Sequence, residues 1–166
     1  MVKGLLQIVF FLVLFGAALL VAGIISNRLP LSDPPGLAAR LSTYLNTNVA
    51  ETSLDSPFPE LKLRRYDAPP ALIFDTTRKG IERLRWETTA ADADKKEITA
   101  VVTTKMWGFK DDVTIQVQPA QPSGSWLMIR STSRVGKGDL GANTRHIMDL
   151  VEMVDATVPK QALVQQ

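Results

Sequence analysis

Hydrophobic residues run almost unbroken through the first 26 positions of the chain, and they alternate with polar residues in its second half. The segment 4–26, GLLQIVFFLVLFGAALLVAGIIS, has no charged residue and one strongly polar residue, Gln7. As a helix, its apolar part (residues 5–25) is about 32 Å long, which is enough to cross a bilayer core of about 30 Å. A cleaved signal peptide has a shorter apolar region of about 7–15 residues. The length therefore favours an uncleaved transmembrane anchor over residues 1–28, with a cleaved signal and a buried core helix as the alternatives.

The charges that flank this segment give a weak indication of its orientation. Lys3 precedes the segment, and Arg28 and then Asp33 follow it. The positive-inside rule slightly favours a cytoplasmic N-terminus. We therefore expect a single-pass protein of the cell inner membrane that meets the lipid bilayer through residues 5–25, with its soluble domain on the periplasmic side.

Helical spacing predicts a short amphipathic helix soon after the anchor. Asp33 can cap this helix, and Pro34 and Pro35 suit its first turn. Its apolar stripe is Leu37, Leu41, Tyr44 and Leu45. Because its polar face is not rich in Lys or Arg, we expect it to pack on the domain rather than on the membrane. Residues 29–56 are predicted to be a linker that carries this helix.

A second helix is predicted from about Pro70 to Arg85, after an irregular, proline-containing stretch. Its apolar side is Ile73, Thr77, Ile81 and Leu84. Gly80 costs such a helix about 1 kcal/mol relative to alanine. The helix therefore needs support from tertiary packing.

From Trp86 onward the apolar residues recur at every second position, which is typical of strands. The β-rich runs are RWETTA, EITAVVTTKM, DVTIQVQP and SWLMIRSTSR, and the connections are too short for helical crossovers, so the sheet should be antiparallel. A last helix should begin near Asp139, with an apolar stripe of Leu140, Ile147, Leu150, Val151 and Val154. The pattern predicts an α+β fold: an N-terminal transmembrane helix, then a two-layer domain (residues 57–158) with a four-stranded antiparallel sheet and two to three helices. A flexible tail is expected over residues 159–166.

Composition excludes several classes of function. The chain has 19 basic and 17 acidic residues, a net charge of +2 and no Lys/Arg block, which argues against nucleic-acid binding. It has no cysteine and one histidine, which excludes disulfides, thiolate sites and multi-histidine metal sites. We therefore predict no cofactor and no metal centre.

Residues 136–141, GKGDLG, match the G-x-G-x-x-G pattern of a dinucleotide-binding turn. That turn requires a following parallel strand, but only one helix fits in the remaining chain. Asp139 would also place a carboxylate where the helix N-terminus should receive pyrophosphate. We therefore interpret Gly136, Gly138 and Gly141 as a structural turn from strand to helix, with Asp139 as the cap or a first-turn acid.

Alternation along the last two strands separates their polar residues onto two faces. In the last strand one face carries Trp126, Met128, Arg130, Thr132 and Arg134, and the other carries Leu127, Ile129, Ser131, Ser133 and Val135. If Val117 pairs near Leu127, Asp112 lies on the arginine face, close enough for an ion pair. Asp111 then points to the opposite face, so the two aspartates cannot form a catalytic dyad. The arginines and aspartates are either a salt-bridge and turn network that organises the fold or a polar pocket for an anionic ligand.

His146 precedes a member of the apolar stripe, Ile147, so it is predicted to lie at the helix border or on the surface. A triad of Ser133, Asp139 and His146 is conceivable, but no nucleophile elbow accompanies it. We predict no catalytic residues.

The segments GFKDDV and IRSTSRVGKGDLGANTRHI resemble the G-F-x-D-D-V and R-S-x-S-R-x-G-x-x-D-L-G-x-N signature of the domain of unknown function 1499 (DUF1499) family. Upstream, PPGLAARLSTYLNTNVAET and FPELKLRRY resemble its proteobacterial branch. The matched positions are Gly108, Phe109, Asp111, Asp112, Arg130, Ser131, Ser133, Arg134, Gly136, Asp139, Leu140, Gly141 and Asn143. Family members often carry an arginine where this chain has His146. The resemblance implies a small membrane-anchored or exported domain and implies no particular activity.

Three hypotheses for function follow. The first is a membrane-anchored envelope protein whose non-enzymatic domain binds an envelope protein or a small anionic or lipid-derived ligand. Its candidate ligand-binding residues are Asp111, Asp112, Arg130, Ser131, Ser133, Arg134, Asp139 and Asn143. The second is a hydrolase or isomerase that uses Asp112 or Asp139 as a base in an arginine-lined pocket. The third is an assembly protein in which the anchor and the helix at residues 33–46 matter most.

Overall fold

The computed structural model describes residues 2–105 and 107–158, so the predicted tail at 159–166 lies outside the described residues. The apolar N-terminal segment forms one helix, α1 (Val2–Ser26). Within α1 only Gly23 and Ile24 are buried, which excludes a buried core helix. The helix is long and apolar enough to span a membrane.

The sheet of the domain has six antiparallel strands, so the prediction of four was wrong. The strands are β1 (Val49–Glu51), β2 (Arg64–Tyr66), β3 (Glu87–Asp92), β4 (Glu97–Thr103), β5 (Lys110–Pro119) and β6 (Ser125–Ser133). Strands β3 to β6 form the predicted meander. β1 and β2 both pair with the outer edge of β6, β1 with residues 130–132 and β2 with residues 125–127.

The two additional strands are too short to be recognised from alternation. Each has three residues, and Pro57 and Pro59 lie between them. They are strands because they hydrogen-bond with the N–H and C=O groups along the free edge of β6. This pairing depends on tertiary structure and not on the local sequence pattern. Residues 49–51, inside the stretch expected to be a linker, thus belong to the sheet.

Helices cover one face of the sheet, which is called the inner face below. They are α3 (Pro70–Leu84) and α4 (Ala142–Asp155), and α2 (Leu37–Asn46) and a short 3-10 helix (Pro59–Leu61) precede them in the chain. The fully buried core between helices and sheet includes Ile73, Ile81, Ile98, Ile115, Leu127, Ile147, Leu150 and Val154. A Cβ atom on Gly80 would lie 3.2 Å from Cβ of Met153, so this glycine lets α3 approach α4 closely. That contact is the tertiary support that the helix was predicted to need.

Helix α2 differs from its prediction in where it begins and in which face it buries. It begins at Leu37 after Gly36, whose φ is +98°, and not at Asp33. Its buried residues are Arg40 and Tyr44, whereas Leu37 and Leu45 are exposed. Apolar periodicity failed here because an arginine occupies the inward position.

Arg40 is completely buried because every one of its donors finds an acceptor. Nη1 and Nη2 donate to the two carboxylate oxygens of Glu60, at 2.5 and 3.0 Å. Nε donates to the carbonyl of Asp33 and Nη2 to that of Pro34, and Nη1 also donates to the Tyr44 hydroxyl. The hydrogen bond with Glu60 raises the pKa of Arg40. The bidentate pair with Glu60 attaches α2 to the 3-10 helix. The bonds to the Asp33 and Pro34 carbonyls attach α2 to the turn that precedes it.

Replacing Arg40 with alanine should destabilise the domain by about 3–5 kcal/mol, because it leaves the nearly buried Glu60 carboxylate without its partner. Urea unfolding of the whole chain in detergent, followed by near-ultraviolet circular dichroism, measures the change. Arg78→Ala is the matched control, since Arg78 forms an exposed i,i+4 pair with Glu82. The control should cost less than about 1 kcal/mol. Equal losses in the two variants would show that the Arg40 pair is not structural.

Candidate functional site

The register of β5 and β6 places the polar residues on the two faces that alternation predicts. Val117 lies opposite Leu127. Leu127, Ile129, Ser131 and Ser133 are buried on the inner face, and the side chains between them point to the outer face. Asp111 is buried and its neighbour Asp112 is exposed. The candidate residues therefore form two separate groups, one on each side of the sheet.

On the outer face Asp112 pairs with Arg134. Nε and Nη2 of Arg134 donate to the two carboxylate oxygens, at 3.0 and 2.7 Å. The hydrogen bond from Arg134 lowers the pKa of Asp112. Both side chains are about half exposed.

Arg130 does not share this carboxylate. Its Nη1 donates to Oε2 of Glu51 at 2.9 Å, on strand β1, which the sequence did not reveal. Neither arginine lines the two cavities described below. The outer-face residues thus form two surface ion pairs on the open side of the sheet, and the arginine-lined pocket required by the enzyme hypothesis is not formed around Asp112.

Arg134→Gln should raise the pKa of Asp112 toward the ordinary aspartate value, because it removes the guanidinium that stabilises the carboxylate. A depressed pKa contributes stability above the unfolded-state value and loses it as the pH falls through the folded-state value. The variant should therefore weaken the acid dependence of stability only slightly, because solvent screens so exposed a pair. Carboxyl NMR titration measures the pKa. Arg130→Gln should leave it unchanged, and an equal rise in both variants would refute the assignment of partners.

On the inner face Asn143 connects α4 to the sheet. Its Nδ2 donates to the Asn48 carbonyl and to Ser133 Oγ, both at 2.9 Å, and its Oδ1 accepts from Ser131 Oγ at 2.6 Å. Asn143 and Ser131 are completely buried. The side chains of Ser131, Ser133 and Asn143 are therefore satisfied by one another and face the interior.

Asp139 holds the turn that leads into α4. Its carboxylate accepts the backbone N–H groups of Gly141 at 2.8 Å and Asn143 at 3.0 Å. Burial raises the pKa of Asp139, although these two bonds oppose the shift. The turn requires glycines at two positions: φ is +84° at Gly141, and a Cβ on Gly138 would lie 2.4 Å from the Leu45 carbonyl oxygen. Gly136 also has a positive φ, +92°.

Asn143→Ala should destabilise the domain by about 2–4 kcal/mol, because it leaves two buried serine hydroxyls and a backbone carbonyl without their hydrogen-bond partner. Urea unfolding of the whole chain in detergent measures this loss. Asn46→Ala is the control, since Asn46 makes a single exposed hydrogen bond to the Ser42 carbonyl. A loss no larger than that of the control would contradict a structural role for Asn143.

The structure brings His146 to Asp111, and the prediction of a border or surface histidine was wrong. His146 is 8% exposed, and its Nε2 lies 2.9 Å from Oδ2 of Asp111. The ring packs edge-on against Trp86, with centroids 5.8 Å apart. The carboxylate acceptor selects the tautomer that carries its proton on Nε2.

The other carboxylate oxygen of Asp111, Oδ1, is buried and accepts no hydrogen bond. Buried carboxylates in proteins are normally paired or hydrogen-bonded. The unpartnered Oδ1 on a side chain that is 1% exposed is therefore an unused acceptor, which a ligand reaches only if the surrounding side chains move.

Asp111 and His146 line a groove of about 2110 Å³ between the domain and α1. One wall consists of Gly16, Leu19, Leu20 and Gly23 of α1, and the opposite wall includes Trp107, Phe109 and Val135. Asn27, just after α1, donates to the Leu140 carbonyl at 2.9 Å and so ties this helix to the glycine turn. The groove thus has apolar walls and a polar site that contains the only buried Asp–His contact in the described part of the chain.

A second cavity of about 270 Å³ lies between α2, β1 and the loop that follows β1. Its lining is mainly apolar and includes Tyr44, Phe58 and Leu61, with Asp139 at its border. Both oxygens of Asp139 are occupied by backbone N–H groups. Asp139, which also lines the groove, therefore has little acceptor capacity left for a ligand in either cavity.

One sequence signal could have located His146. Asn143, His146, Ile147 and Leu150 stand at i, i+3, i+4 and i+7, which places all four on one helix face. Alternation had already assigned Asp111 to the inner face of β5. The pair was missed because polar residues were not included in the stripe of α4.

The family model described as "Protein of unknown function (DUF1499)" matches residues 32–154 of this chain. A search of curated proteins found no match. The family match covers the domain and excludes α1.

Proposed function

Because the chain belongs to the DUF1499 family, whose description names no activity, we propose a function from the groove itself: the domain is a membrane-anchored binding module for an amphiphilic, lipid-derived ligand. The single observation that carries this proposal is the unpartnered Oδ1 of Asp111, a buried residue that lines a groove with several exposed apolar side chains in its walls. We further propose that α1 crosses the inner membrane and that the domain lies on the periplasmic side. Lys3 precedes α1, whereas Arg28 after it is followed by the acidic Asp33, and this small charge difference supports the orientation.

The walls of the groove fit the apolar part of a lipid. Leu19 and Leu20 come from a helix whose composition suits the bilayer, and Trp107, Phe109 and Val135 are each more than 40% exposed, at 42%, 50% and 56%. Exposed apolar side chains that face one another across a groove lower their free energy when a hydrocarbon chain covers them. A lipid leaving the bilayer along α1 would meet this surface first.

The polar site fits a head group that donates a hydrogen bond. A carboxylate oxygen only accepts, so Asp111 Oδ1 is suited to a ligand group that donates, such as a hydroxyl or an ammonium group. Hydrogen bonds to charged groups contribute about 1.5–3 kcal/mol. A glycerol or ethanolamine head group carries such a donor.

Cations at the groove fit the anionic part of the same head group. Arg28, Arg85 and Lys105 line the groove, and within residues 2–105 and 107–158 none of them forms an ion pair. The groove is also lined by the carboxylates of Glu87, Asp149 and Glu152. Arg145 also lines it but is engaged by Asp149 and Glu152. A phosphodiester with a hydroxyl or ammonium head group matches both the cations and Asp111.

Asp111→Asn should release a phospholipid that the unaltered chain retains on extraction, because the amide keeps the shape of the carboxylate but not its charge. Loss of one charge-assisted hydrogen bond weakens binding by at least about tenfold. Native mass spectrometry of the whole chain, extracted in mild detergent and supplied with phosphatidylglycerol or phosphatidylethanolamine, measures retention.

Asp112→Asn is the matched control, since it makes the same change one residue away and on the opposite face of the sheet. It should retain lipid as the unaltered chain does. Equal retention by both variants, or no retention of either lipid by the unaltered chain, would refute the proposal.

A second candidate, an enzyme, is favoured by the contact between His146 and Asp111. A histidine held by a carboxylate through Nε2 keeps its lone pair on Nδ1 and can act as a base. This assignment replaces Asp112 and Asp139 as the bases of the hydrolase or isomerase hypothesis. Recovery of intact lipid after incubation with the unaltered chain would support binding alone. A cleaved or rearranged lipid that His146→Gln fails to produce would support the enzyme.

A further inference from the structure

The loop between β4 and β5 exposes two aromatic side chains close together. Trp107 and Phe109 are 42% and 50% exposed. Aromatic side chains of this size are more often buried, and exposed ones together mark an interaction surface. Neither residue belongs to the polar site at Asp111.

Hydrogen bonds connect Thr104 with Gly108 and Phe109 at the two ends of this loop. The backbone N–H of Thr104 donates to the Phe109 carbonyl at 2.8 Å, and the Gly108 N–H donates to the Thr104 carbonyl at 2.9 Å. Thr104 Oγ1 also accepts the Phe109 N–H at 2.9 Å. Gly108 has a φ of +66°, which allows the chain to turn between the two aromatic residues.

The loop faces the part of α1 that suits the bilayer. Trp107 and Phe109 line the same groove as Gly16, Leu19 and Leu20. Leu20 lies six residues before the end of α1, which is about 9 Å along the helix axis. The wall opposite the loop is therefore a stretch of α1 that would lie inside the membrane and not above it.

Charge at the loop suits a lipid surface as well. Lys105 and Lys110 flank the aromatic residues and are exposed. Tryptophan is enriched at the level of lipid head groups, and lysines are attracted to anionic head groups. Both features occur on the β4–β5 loop and at Lys110, the first residue of β5.

We propose that the β4–β5 loop docks on the bilayer, with Trp107 and Phe109 inserted at the head-group level and Lys105 and Lys110 facing anionic lipid head groups. This inference rests on the proposed membrane anchoring by α1 and not on ligand capture at Asp111. It gives the domain a second attachment to the leaflet at the wall of the groove that Trp107 and Phe109 form, so the groove opens at the membrane surface.

Depth-dependent quenching of single tryptophans tests the docking. The variant Trp86→Phe/Trp126→Phe retains only Trp107, and the control Trp86→Phe/Trp107→Phe retains only Trp126, which lies on the outer face of the sheet. Each whole chain is reconstituted in vesicles of phosphatidylcholine and phosphatidylglycerol with bromine near the head-group end of the acyl chain. Trp107 should lose most of its fluorescence and shift to shorter wavelength, and Trp126 should lose little. Lys105→Glu/Lys110→Glu, added to the first variant, should reduce the loss.

Flotation of the same vesicles separates this inference from the proposed function. If the chain floats with the vesicles and Trp107 is quenched no more than Trp126, α1 is anchored and the docking is refuted. If the chain does not float, both the anchoring and the docking are refuted. Near-ultraviolet circular dichroism of each variant shows that the domain is folded.

Discussion

The buried amide of Asn143 imposes the constraint on which the inner side of the molecule depends. Its hydrogen bonds to Ser131, Ser133 and the Asn48 carbonyl hold the start of α4 against β6 and against the chain that enters β1. A buried amide left without these partners would cost several kcal/mol, so the three segments cannot separate independently. These hydrogen bonds thereby fix the position of the start of α4 relative to β6. One turn later in the helix, His146 reaches Asp111.

The same constraint extends toward α1. Asp139 accepts the Asn143 N–H, and the glycine turn that it holds supplies the carbonyl of Leu140 to Asn27. A Cβ on Gly23 would lie 2.5 Å from Leu140 Cδ1, so α1 packs tightly on this turn. The glycine-rich segment that resembles a nucleotide-binding turn is thus the joint between the domain and its N-terminal helix.

Sequence patterns predicted the long elements well, because each offers enough positions for a period to be read. The nine residues of β6 and the ten of β5 have the predicted faces, and the pairing of Val117 with Leu127 has the predicted register. β1 and β2 are too short for this, and they are strands only because β6 has an open edge. The buried face of α2 was predicted wrongly because Arg40 lies on it. The burial of Arg40 depends on Glu60, which lies twenty residues away in the sequence.

The candidate site was predicted only in part, for a similar physical reason. Alternation placed Asp112 and Arg134 together, and their ion pair follows from local geometry. The groove combines residues of α1, the β4–β5 loop and α4, and no spacing in the sequence relates these three segments. The unpartnered oxygen of Asp111 is likewise a property of the assembled molecule, since only the packed structure shows which acceptors have no donor.

The short connection after α1 limits how far the domain can reach. Ten residues separate the end of α1 at Ser26 from the start of α2 at Leu37, and within them Asn27 is hydrogen-bonded to the domain and Leu29 is buried. Residues 27–36, all of which the structure describes, therefore do not form a stalk. In the proposed membrane setting the domain would move with the anchor as a two-dimensional diffuser that samples one leaflet. Its encounter rate would then depend on the number of lipid molecules per unit area of that leaflet and not on their concentration in the aqueous phase.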